Sequence, residues 1–481
     1  MLRRLDSHEM GTGKILPTLV TLGLPAAAGG VMQTLFEVAD TLFVSRLGKE
    51  QISGVGLIGP VMFTAFAVSQ AVNVGIAASV SRHLGAKEPD KARDIVNHGL
   101  VISLVVGAAL TLLLLLLLEP ILRWMGGDHA IIEYSRQYAG IMFAGIFMMH
   151  LGAAADGALR AQGNTVSPMK IGIISNVANI ILDWYLIFGL GWGVRGAAVA
   201  TVLTRSLMAL ALLARLCSRE SEVRPGRVPG MTGFWRWPVV VSIYWLGLPA
   251  SIGMAAMSLS MVFINALMVT INPFSVGMLA IAFRIEGFAF TPVFGLFSAV
   301  VPMVGYNLGS GAIQRCRATI WTAAGLAATL MGAVGAIIFA FPAFAFGVFT
   351  RDAELLPMGV EYLRIQMPVY PLIGASIMMS AGYQGLGMTW MAMLSHLLRN
   401  IVLKVPMAYW FAAAWGLTGV WWSFPASTVV TAVIFVWAMY VILERLDRRH
   451  SMAAATQREL PPARECEPAC CGPDSDTTDK L

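Results

Sequence analysis

The sequence predicts an all-α polytopic membrane protein with twelve transmembrane helices in two pseudo-symmetric six-helix bundles. Three observations carry this prediction: a low density of charged residues, long stretches without any charge, and an internal repeat. Of the 481 residues, 57% are hydrophobic and 12% are charged, whereas a soluble domain carries about 25% charged residues. The mean hydropathy is +0.71. So few charges cannot cover the surface of a water-soluble chain of this length.

Long uncharged stretches predict the spans. No Asp, Glu, Lys or Arg occurs in residues 237–283, 287–314, 318–350 and 405–443. A helix needs about 20 apolar residues to cross roughly 30 Å of hydrocarbon, and continuous rather than alternating apolar residues favour helices over barrel strands. The chain divides into twelve spans, at about 15–44, 55–80, 95–118, 138–161, 169–190, 197–216, 241–271, 275–304, 320–344, 360–386, 393–414 and 417–443.

Basic residues concentrate in the loops on one side of the predicted bundle. That side carries Arg3, Arg4, Lys14, Arg82, Lys87, Lys91, Arg93, Arg219, Arg224, Arg227, Arg236, Arg315, Arg317, Arg445, Arg448 and Arg449. The positive-inside rule then places both termini in the cytoplasm of a cell whose inner membrane holds the protein. The net charge of +6 is scattered between spans, which suits membrane topology and gives no indication of nucleic-acid binding.

The domain boundaries follow from the same loops. We predict an N-terminal six-helix lobe at 1–217, a cytoplasmic linker at 218–240, a C-terminal six-helix lobe at 241–444 and a polar, disordered cytoplasmic tail at 445–481.

An internal repeat relates the two lobes. Residues 22–26 (LGLPA) recur as 246–250, an offset of 224. The same or nearly the same offset joins Leu84-Gly85 to Leu308-Gly309, Gly163 to Gly387, and Gly193 with Gly196 to Gly416 with Gly419. Each half holds six spans, so the halves share one orientation, as in transporters whose lobes rock around a central cleft. The repeat therefore favours a transporter over a channel or an enzyme.

Polar residues that break the repeat are candidates for coupling chemistry, because a charge at a helix centre costs at least roughly 2.5–3.5 kcal/mol on insertion scales. Asp40 lies in the first span, and its equivalent in the second half is Ile264. Glu37 lies three residues earlier on the same helical face. The pair has no acidic counterpart in the other lobe.

The fifth span carries a second polar stripe. Asn176, Asn179 and Asp183 follow one another at helical spacing, and Thr201 in the sixth span adds a hydroxyl. Asp40, Asn179, Asp183 and Thr201 together offer hard oxygen ligands without sulfur or imidazole. Such a set suits H⁺ or Na⁺ rather than zinc or copper, and we expect no cofactor. The alternative is that these side chains only hydrogen-bond to neighbouring helices.

Other charges inside the spans leave their roles open. Arg284 and Glu286 interrupt the eighth span without counterparts in the first half, and they contact substrate or only stabilise the second lobe. With Glu37 and Asn176 they form a possible further polar cavity. Asp156 and Arg160 are spaced for an i,i+4 ion pair.

Several segments resemble the multidrug and toxic compound extrusion (MATE) family. They are residues 38–48 (VADTLFVSRLG), 158–165 (ALRAQGNT), 196–201 (GAAVAT) and 304–311 (VGYNLGSG). The resemblance covers nearly the whole chain up to about Glu444. It implies a V-shaped pair of six-helix lobes that exports organic cations or other amphiphiles in exchange for H⁺ or Na⁺.

The DinF-like branch of that family carries an Asp in the first helix, an Asn-x-x-x-Asp pair in the fifth and a Thr in the sixth. These features match Asp40, Asn179, Asp183 and Thr201. The acidic residues that the NorM-like branch uses in the seventh and tenth helices are missing: the first position falls near Met257. The resemblance therefore implies an ion site in the N-terminal lobe.

The hypothesis is a monomeric secondary antiporter in the lipid bilayer that exports amphiphilic or cationic small molecules. Protonation or Na⁺ binding at the acidic cluster would let the first helix repack, with Pro25 as a hinge because it lacks an N–H. A flippase for a lipid-linked precursor or polysaccharide is the alternative. A membrane-embedded enzyme is disfavoured, since the spans offer no nucleophile–base pair and no His or Cys cluster, and the GxGxxG match at 191–196 lies in a short turn without a strand–helix context.

Overall fold

The structure is a computed structural model that describes residues 5–125, 129–226, 236–350 and 352–459. Every regular element within these ranges is helical. The spans of the first lobe are α1 (Ile15–Ser45), α2 (Lys49–Gly85), α3 (Pro89–Leu116), α4 (His129–Ala144 and Ile146–Ala161), α5 (Val166–Trp184, extended by a π-helical turn Tyr185–Gly189) and α6 (Gly193–Cys217).

The second lobe repeats this order. Its spans are α7 (Trp237–Ile271), α8 (Ser275–Gly309), α9 (Ile313–Ala340), α10 (Leu355–Gln366 and Tyr370–Gly385, joined by a 3₁₀ turn Met367–Val369), α11 (Thr389–Leu397, a π-helix Leu398–Lys404, then on to Gly416) and α12 (from Gly416 to Glu459). Each begins and ends within about seven residues of its predicted span, apart from the start of α4, which lies nine residues earlier, and the end of α12, which lies sixteen residues later.

Twelve crossings result because some spans are broken. Nine helices in the described residues are individually long and apolar enough to cross a membrane, and the pair that forms α4, bent by 44°, makes ten. The 60-residue helix Thr389–Arg448 turns back at Gly416, since a Cβ at Gly419 would lie 2.1 Å from the carbonyl oxygen of Phe411. It therefore covers two crossings. The two halves of α10 supply the last one.

The backbone reproduces the repeat. Residues with positive φ end helices at equivalent places in the two lobes, where the chain turns into the next span. The pairs are Lys87 (60°) and Gly311 (75°), Gly163 (79°) and Gly387 (76°), and Gly193 (54°) and Gly416 (59°). The sequence repeat therefore marks equivalent turns of one duplicated six-helix unit.

The lobes meet through small residues at one end of the bundle, called here the termini end, which holds Ile15, Gly85, Trp237 and Gly309. There α1 packs on α8 and α2 on α7. A Cβ at Gly247 would lie 1.8 Å from the Ala71 carbonyl oxygen, and one at Gly85 would lie 1.9 Å from that of Tyr306. Backbones this close leave no cleft between the lobes at that end.

The opposite end is open. A Cβ added at Gly56 or Gly59 of α2, or at Gly277 or Gly287 of α8, would meet nothing within 4 Å. Close packing at one end and open space at the other give the two lobes the V shape that the sequence predicted.

A short amino-terminal helix, Ser7–Thr12, helps to close the termini end. Its Met10 is fully buried, and the Met10 carbonyl oxygen accepts a hydrogen bond from Asn307 Nδ2 at 3.2 Å. Ser7 Oγ donates to Glu222 Oε1 at 2.6 Å, which ties the segment after α6 to this helix.

Two predicted boundaries differ from the structure. The predicted linker 218–240 extends into α7, which begins at Trp237, while its residues 227–235 lie outside the described range. Residues 445–459 of the predicted disordered tail continue α12 as a helix. The reason is composition, because Ala, Met, Gln, Arg and Glu in this segment are strong helix formers. Residues 460–481 lie outside the described range.

Candidate functional site

The polar stripe of α5 faces the interior of the first lobe. Asn176, Asn179 and Asp183 are exposed by only 4%, 2% and 0%. Their spacing of three and four residues places them on one helical face, as the sequence predicted. The π-helical turn Tyr185–Gly189 begins two residues after Asp183, and such distortions of a helix are frequent at functional sites.

Asp40 of α1 lies in the same part of the first lobe as Asp183. The two carboxylates are close enough to interact electrostatically, and the buried Tyr138 of α4 lies near both. Asp40 Oδ1 and both carboxylate oxygens of Asp183 are buried without a hydrogen-bond partner among the described residues. Burying an ionised carboxylate without a partner is costly. These oxygens therefore require a proton or a cation.

Asn179 supplies a further free oxygen. Its Nδ2 donates a hydrogen bond to Thr204 Oγ1 at 2.8 Å, and Thr204 Oγ1 donates to the Ala200 carbonyl oxygen at 2.7 Å. This fixes the orientation of the amide and leaves Asn179 Oδ1 buried without a partner in the part of the chain that the structure describes. Asp40, Asn179 and Asp183 thus present hard oxygen atoms in one place, a donor set that fits H⁺ or Na⁺.

The hydroxyl of α6 that hydrogen-bonds to Asn179 belongs to Thr204 and not to Thr201, the residue that the sequence predicted. Thr204 is 4% exposed, whereas Thr201 is half-buried and its side chain makes no hydrogen bond in the described structure. Thr204 lies three residues after Thr201 on the same face of α6. A hydroxyl at either position satisfies the sequence pattern, so sequence alone could not choose between them.

Glu37 lies at the edge of this site and belongs to a second polar group. It is exposed and accepts a hydrogen bond from Gln33 Nε2 at 2.9 Å. Arg205 Nη2 donates to Gln33 Oε1 at 2.8 Å, and its guanidinium lies 5.3 Å from the centre of the Phe36 ring. Electrostatic interactions join Glu37 to both Asp40 and Arg205.

Arg205 and Tyr138 were not anticipated from the sequence. Arg205 has a visible signal, because it is the one charged residue between Arg195 and Arg215 in α6. Tyr138 has none, since an aromatic residue in an apolar span is ordinarily packing.

In the second lobe the two candidate charges separate. Glu286 is 6% exposed and accepts a hydrogen bond from Tyr362 Oη at 2.8 Å. Lys404 interacts with it electrostatically. Arg284 is exposed instead, two residues earlier on the opposite side of α8. The predicted polar cavity of Glu37, Asn176, Arg284 and Glu286 is therefore not one site, because these residues lie on separate faces and in separate lobes.

The predicted pair of Asp156 and Arg160 is present. Arg160 Nε lies 2.8 Å from Asp156 Oδ2, and Asn73 Nδ2 donates to the same carboxylate oxygen at 3.1 Å. This carboxylate is thus neutralised inside the first lobe, unlike Asp40 and Asp183.

Two duplicated six-helix lobes around an open cleft, with ionisable oxygens buried in the first lobe, define a polytopic membrane transporter. The MatE family profile matches residues 25–185 and 249–410, one match in each lobe at the offset of the internal repeat. The chain belongs to the MatE family, the multidrug and toxic compound extrusion transporters, as the sequence resemblance implied. It is a transporter and not an enzyme.

Relatives of known name agree with this assignment. The chain is 27% identical over 455 residues to the probable multidrug resistance protein NorM of Thermotoga maritima, which covers 93% of this chain and 96% of that protein. It is 24% identical to the multidrug export protein MepA of Staphylococcus saprophyticus, with 89% and 94% covered. A solved outward-facing structure of a multidrug resistance MATE family transporter superposes with a TM-score of 0.87, 27% identity and coverage of 92% and 99%.

Proposed function

We propose that this protein exports amphiphilic or cationic small molecules in exchange for H⁺ or Na⁺, and that the exchanged cation binds at Asp40, Asn179 and Asp183. One observation carries the proposal. Two carboxylates in one lobe are close enough to interact electrostatically, and three of their four oxygens are buried without a partner among the described residues. A site of this kind alternates between a charged, open state and a neutral, occupied state.

The proposed cycle uses these two states. With both carboxylates ionised, the lobe attracts a cationic or amphiphilic molecule from the cytoplasm. Arrival of a proton or Na⁺ from outside neutralises Asp40 and Asp183, α1 repacks near Pro25, and the molecule leaves outward. One elementary charge that crosses 100 mV releases about 2.3 kcal/mol, so inward cation flow sustains an outward gradient of the exported molecule.

The oxygen set at Asp40, Asn179 and Asp183 matches the pattern that the resemblance implies for the DinF-like branch. The hydroxyl of α6 that contacts Asn179 is that of Thr204 rather than Thr201. Thr204 acts as a positioning residue, since its hydroxyl accepts from the Asn179 amide and donates to the Ala200 carbonyl oxygen.

The substitution Asp183→Asn tests the coupling site. The amide keeps the volume of the side chain but cannot bind or release a proton, so we expect at least a tenfold loss of ion-driven efflux in proteoliposomes. Separately imposed H⁺ and Na⁺ gradients identify the coupling ion. Asp90→Asn is the matched control, because Asp90 is a surface carboxylate with 59% of its side chain exposed. Normal gradient-driven efflux by Asp183→Asn would refute the proposal.

We also infer that the termini end faces the cytoplasm of a cell with an inner membrane, because the basic loops lie there. Cys217 at this end is exposed, whereas Cys316 is buried. A membrane-impermeant maleimide is therefore expected to label Cys217 in inside-out vesicles and to leave it unlabelled in right-side-out vesicles, measured in a variant whose other four cysteines are Ser. The reverse pattern would invert the topology. Size-exclusion chromatography with light scattering tests the proposed monomer.

A further inference from the structure

A small cavity with several polar side chains in a largely apolar lining lies in the second lobe, between α10, α11 and α12. Its volume is about 30 Å³, and by the same measure one water needs about 10–15 Å³. It therefore holds about two waters or one small ion and is too small for an organic substrate. The polar residues that line it are Ser376, Ser380, Tyr383, Ser395, His396, Arg399 and Thr431, and the Tyr383 hydroxyl donates a hydrogen bond to the Phe435 carbonyl oxygen at 2.7 Å. No carboxylate is among its lining residues.

Arg399 brings a positive charge into a membrane span. It lies ten residues after the start of α11 at Thr389, about 15 Å along the helix axis, and inside the predicted span 393–414. Among the described residues its guanidinium forms no ion pair and no hydrogen bond. A charged side chain at this depth costs at least roughly 2.5–3.5 kcal/mol unless something pairs with it. A lipid phosphate cannot reach this depth.

Some of the other polar groups of the cavity have hydrogen-bond partners within the protein, and one has none. Ser395 Oγ and Thr431 Oγ1 donate to backbone carbonyl oxygens, each at 2.7 Å. Ser380 Oγ and His396 Nε2 lie 3.3 Å apart and share one hydrogen bond. Ser376 Oγ is buried without a partner in the described part of the chain. Ser376 and Arg399 both line the cavity, and neither the Ser376 hydroxyl nor the Arg399 guanidinium has an acceptor among the described residues.

The surrounding charge is positive. Arg399 and Lys404 lie on the same π-helix, Leu398–Lys404, and the electrostatic partner of Glu286 is Lys404 rather than Arg399. Arg399 therefore has no carboxylate partner among the described residues. The first lobe has the opposite balance, with the carboxylates of Asp40 and Asp183 unpaired.

We propose that this cavity is a binding site for a small monovalent inorganic anion of the size of chloride, held by Arg399 and the Ser376 hydroxyl. The anion accepts hydrogen bonds from both free donors and neutralises the excess charge of the lobe. The cavity excludes larger organic anions by volume. The proposal does not depend on the cation site of the first lobe, because no residue is shared.

The test uses the purified full-length protein in detergent, with gluconate as the anion at constant ionic strength. Replacing gluconate with chloride or bromide is expected to raise the melting temperature by several degrees, since a ligand that binds only the folded state stabilises it. We expect Arg399→Gln to lose this shift and Ser376→Ala to weaken the apparent halide affinity by about three- to tenfold, the loss of one hydrogen bond. Arg364→Gln is the matched control, because Arg364 is an exposed arginine of α10 outside the cavity.

A second measurement covers the case in which Arg399→Gln does not fold. Crystals of the unaltered protein grown in bromide are expected to show an anomalous difference peak between Arg399 and Ser376. The proposal is overturned if the bromide peak is absent from this cavity, or if Arg399→Gln folds and keeps the halide-dependent shift of the unaltered protein.

Discussion

At the scale of single residues, the two lobes treat buried carboxylates differently. Glu286 in the second lobe has a tyrosine donor at 2.8 Å and a nearby lysine. Asp183 in the first lobe is fully buried and has neither among the described residues. A buried carboxylate with hydrogen-bond and charge partners stabilises one arrangement of the lobe. A buried carboxylate without partners is costly when ionised, and that cost is removed when a proton or cation binds. We therefore expect the first lobe to be the one whose stability changes when a cation arrives.

Thr204 offers a sharp test of how the site is positioned. Thr204→Val removes the acceptor of the Asn179 amide and leaves Nδ2 buried without a partner. Leaving a buried donor without a hydrogen bond costs about 1–3 kcal/mol. We expect the affinity for the coupling cation to fall by roughly 5- to 100-fold, measured as the ion concentration for half-maximal efflux. Thr201→Val is the matched control. Equal effects of the two substitutions would show that the Asn179–Thr204 hydrogen bond does not orient the site.

At this scale, the sequence predicts a residue of the candidate site only where that residue breaks the internal repeat. Asp40 and Asp183 stand out because the second half has no acid at the equivalent positions, and the structure brings them together. Thr204 and Tyr138 could not be found this way, because their roles depend on which neighbouring helix each side chain meets. Helical periodicity gives the face of a residue on its own helix and nothing about the partner helix.

At the scale of helices, hydropathy predicted the spans but did not predict the breaks and bends within them. The breaks in α4, α5, α10 and α11 involve 3₁₀ or π turns and a 44° bend. These depend on local hydrogen bonding and neighbouring helices and leave composition unchanged. Prolines are the exception, because they are visible in sequence and weaken the helix at a known place. Pro25 in α1 and Pro249 in α7 occupy equivalent positions at the offset of 224.

This pair of prolines allows a matched experiment on the proposed hinge. Pro25→Ala restores the missing N–H and stiffens the helix that carries Asp40, so we expect efflux to slow several-fold while cation affinity stays unchanged. Pro249→Ala makes the same change in α7, whose residue equivalent to Asp40 is Ile264. We expect this variant to retain cation-dependent efflux, measured in parallel in proteoliposomes. If both variants lose efflux equally, the proline serves the duplicated scaffold rather than the cation site.

At the scale of the whole molecule, the duplicated contacts at the termini end set the register of the lobes. On the interface of α1 and α8, a Cβ at Gly295 would lie 2.6 Å from the Gly23 carbonyl oxygen, and a Cβ at Gly30 would lie 3.1 Å from Thr291 Cγ2. The two helices run antiparallel, and the residue numbers of these two contacting pairs sum to 318 and 321. Residues of α1 and α8 whose numbers sum to about 320 therefore lie at the same height along the helix pair. The sum for Glu37 and Arg284 is 321, so these two exposed residues are level.

Both residues also point toward the opposite lobe. Glu37 follows Gly23 and Gly30 by fourteen and seven residues, which returns it to the same face of α1. Arg284 precedes Gly295 and Thr291 by eleven and seven residues, which returns it to the contact face of α8. In this structure the helices diverge above the contact, and no ion pair joins Glu37 to Arg284 in the described residues. Closing the open end would bring an acid and a base on facing stripes together.

A charge exchange tests whether this contact forms during transport. Glu37→Arg places two cations on the facing stripes and Arg284→Glu places two anions there, so each alone is expected to slow efflux by opposing closure. The double exchange restores an opposite pair, and we expect a coupling free energy of about 0.5–3 kcal/mol between the positions, read from efflux rates of the four proteins. The same exchange at Asp90 and Arg93, a surface pair 3.5 Å apart, is expected to leave efflux unchanged. Additive effects at Glu37 and Arg284 would mean that the lobes do not close in this register, because residues that meet in a closed state must depend on each other.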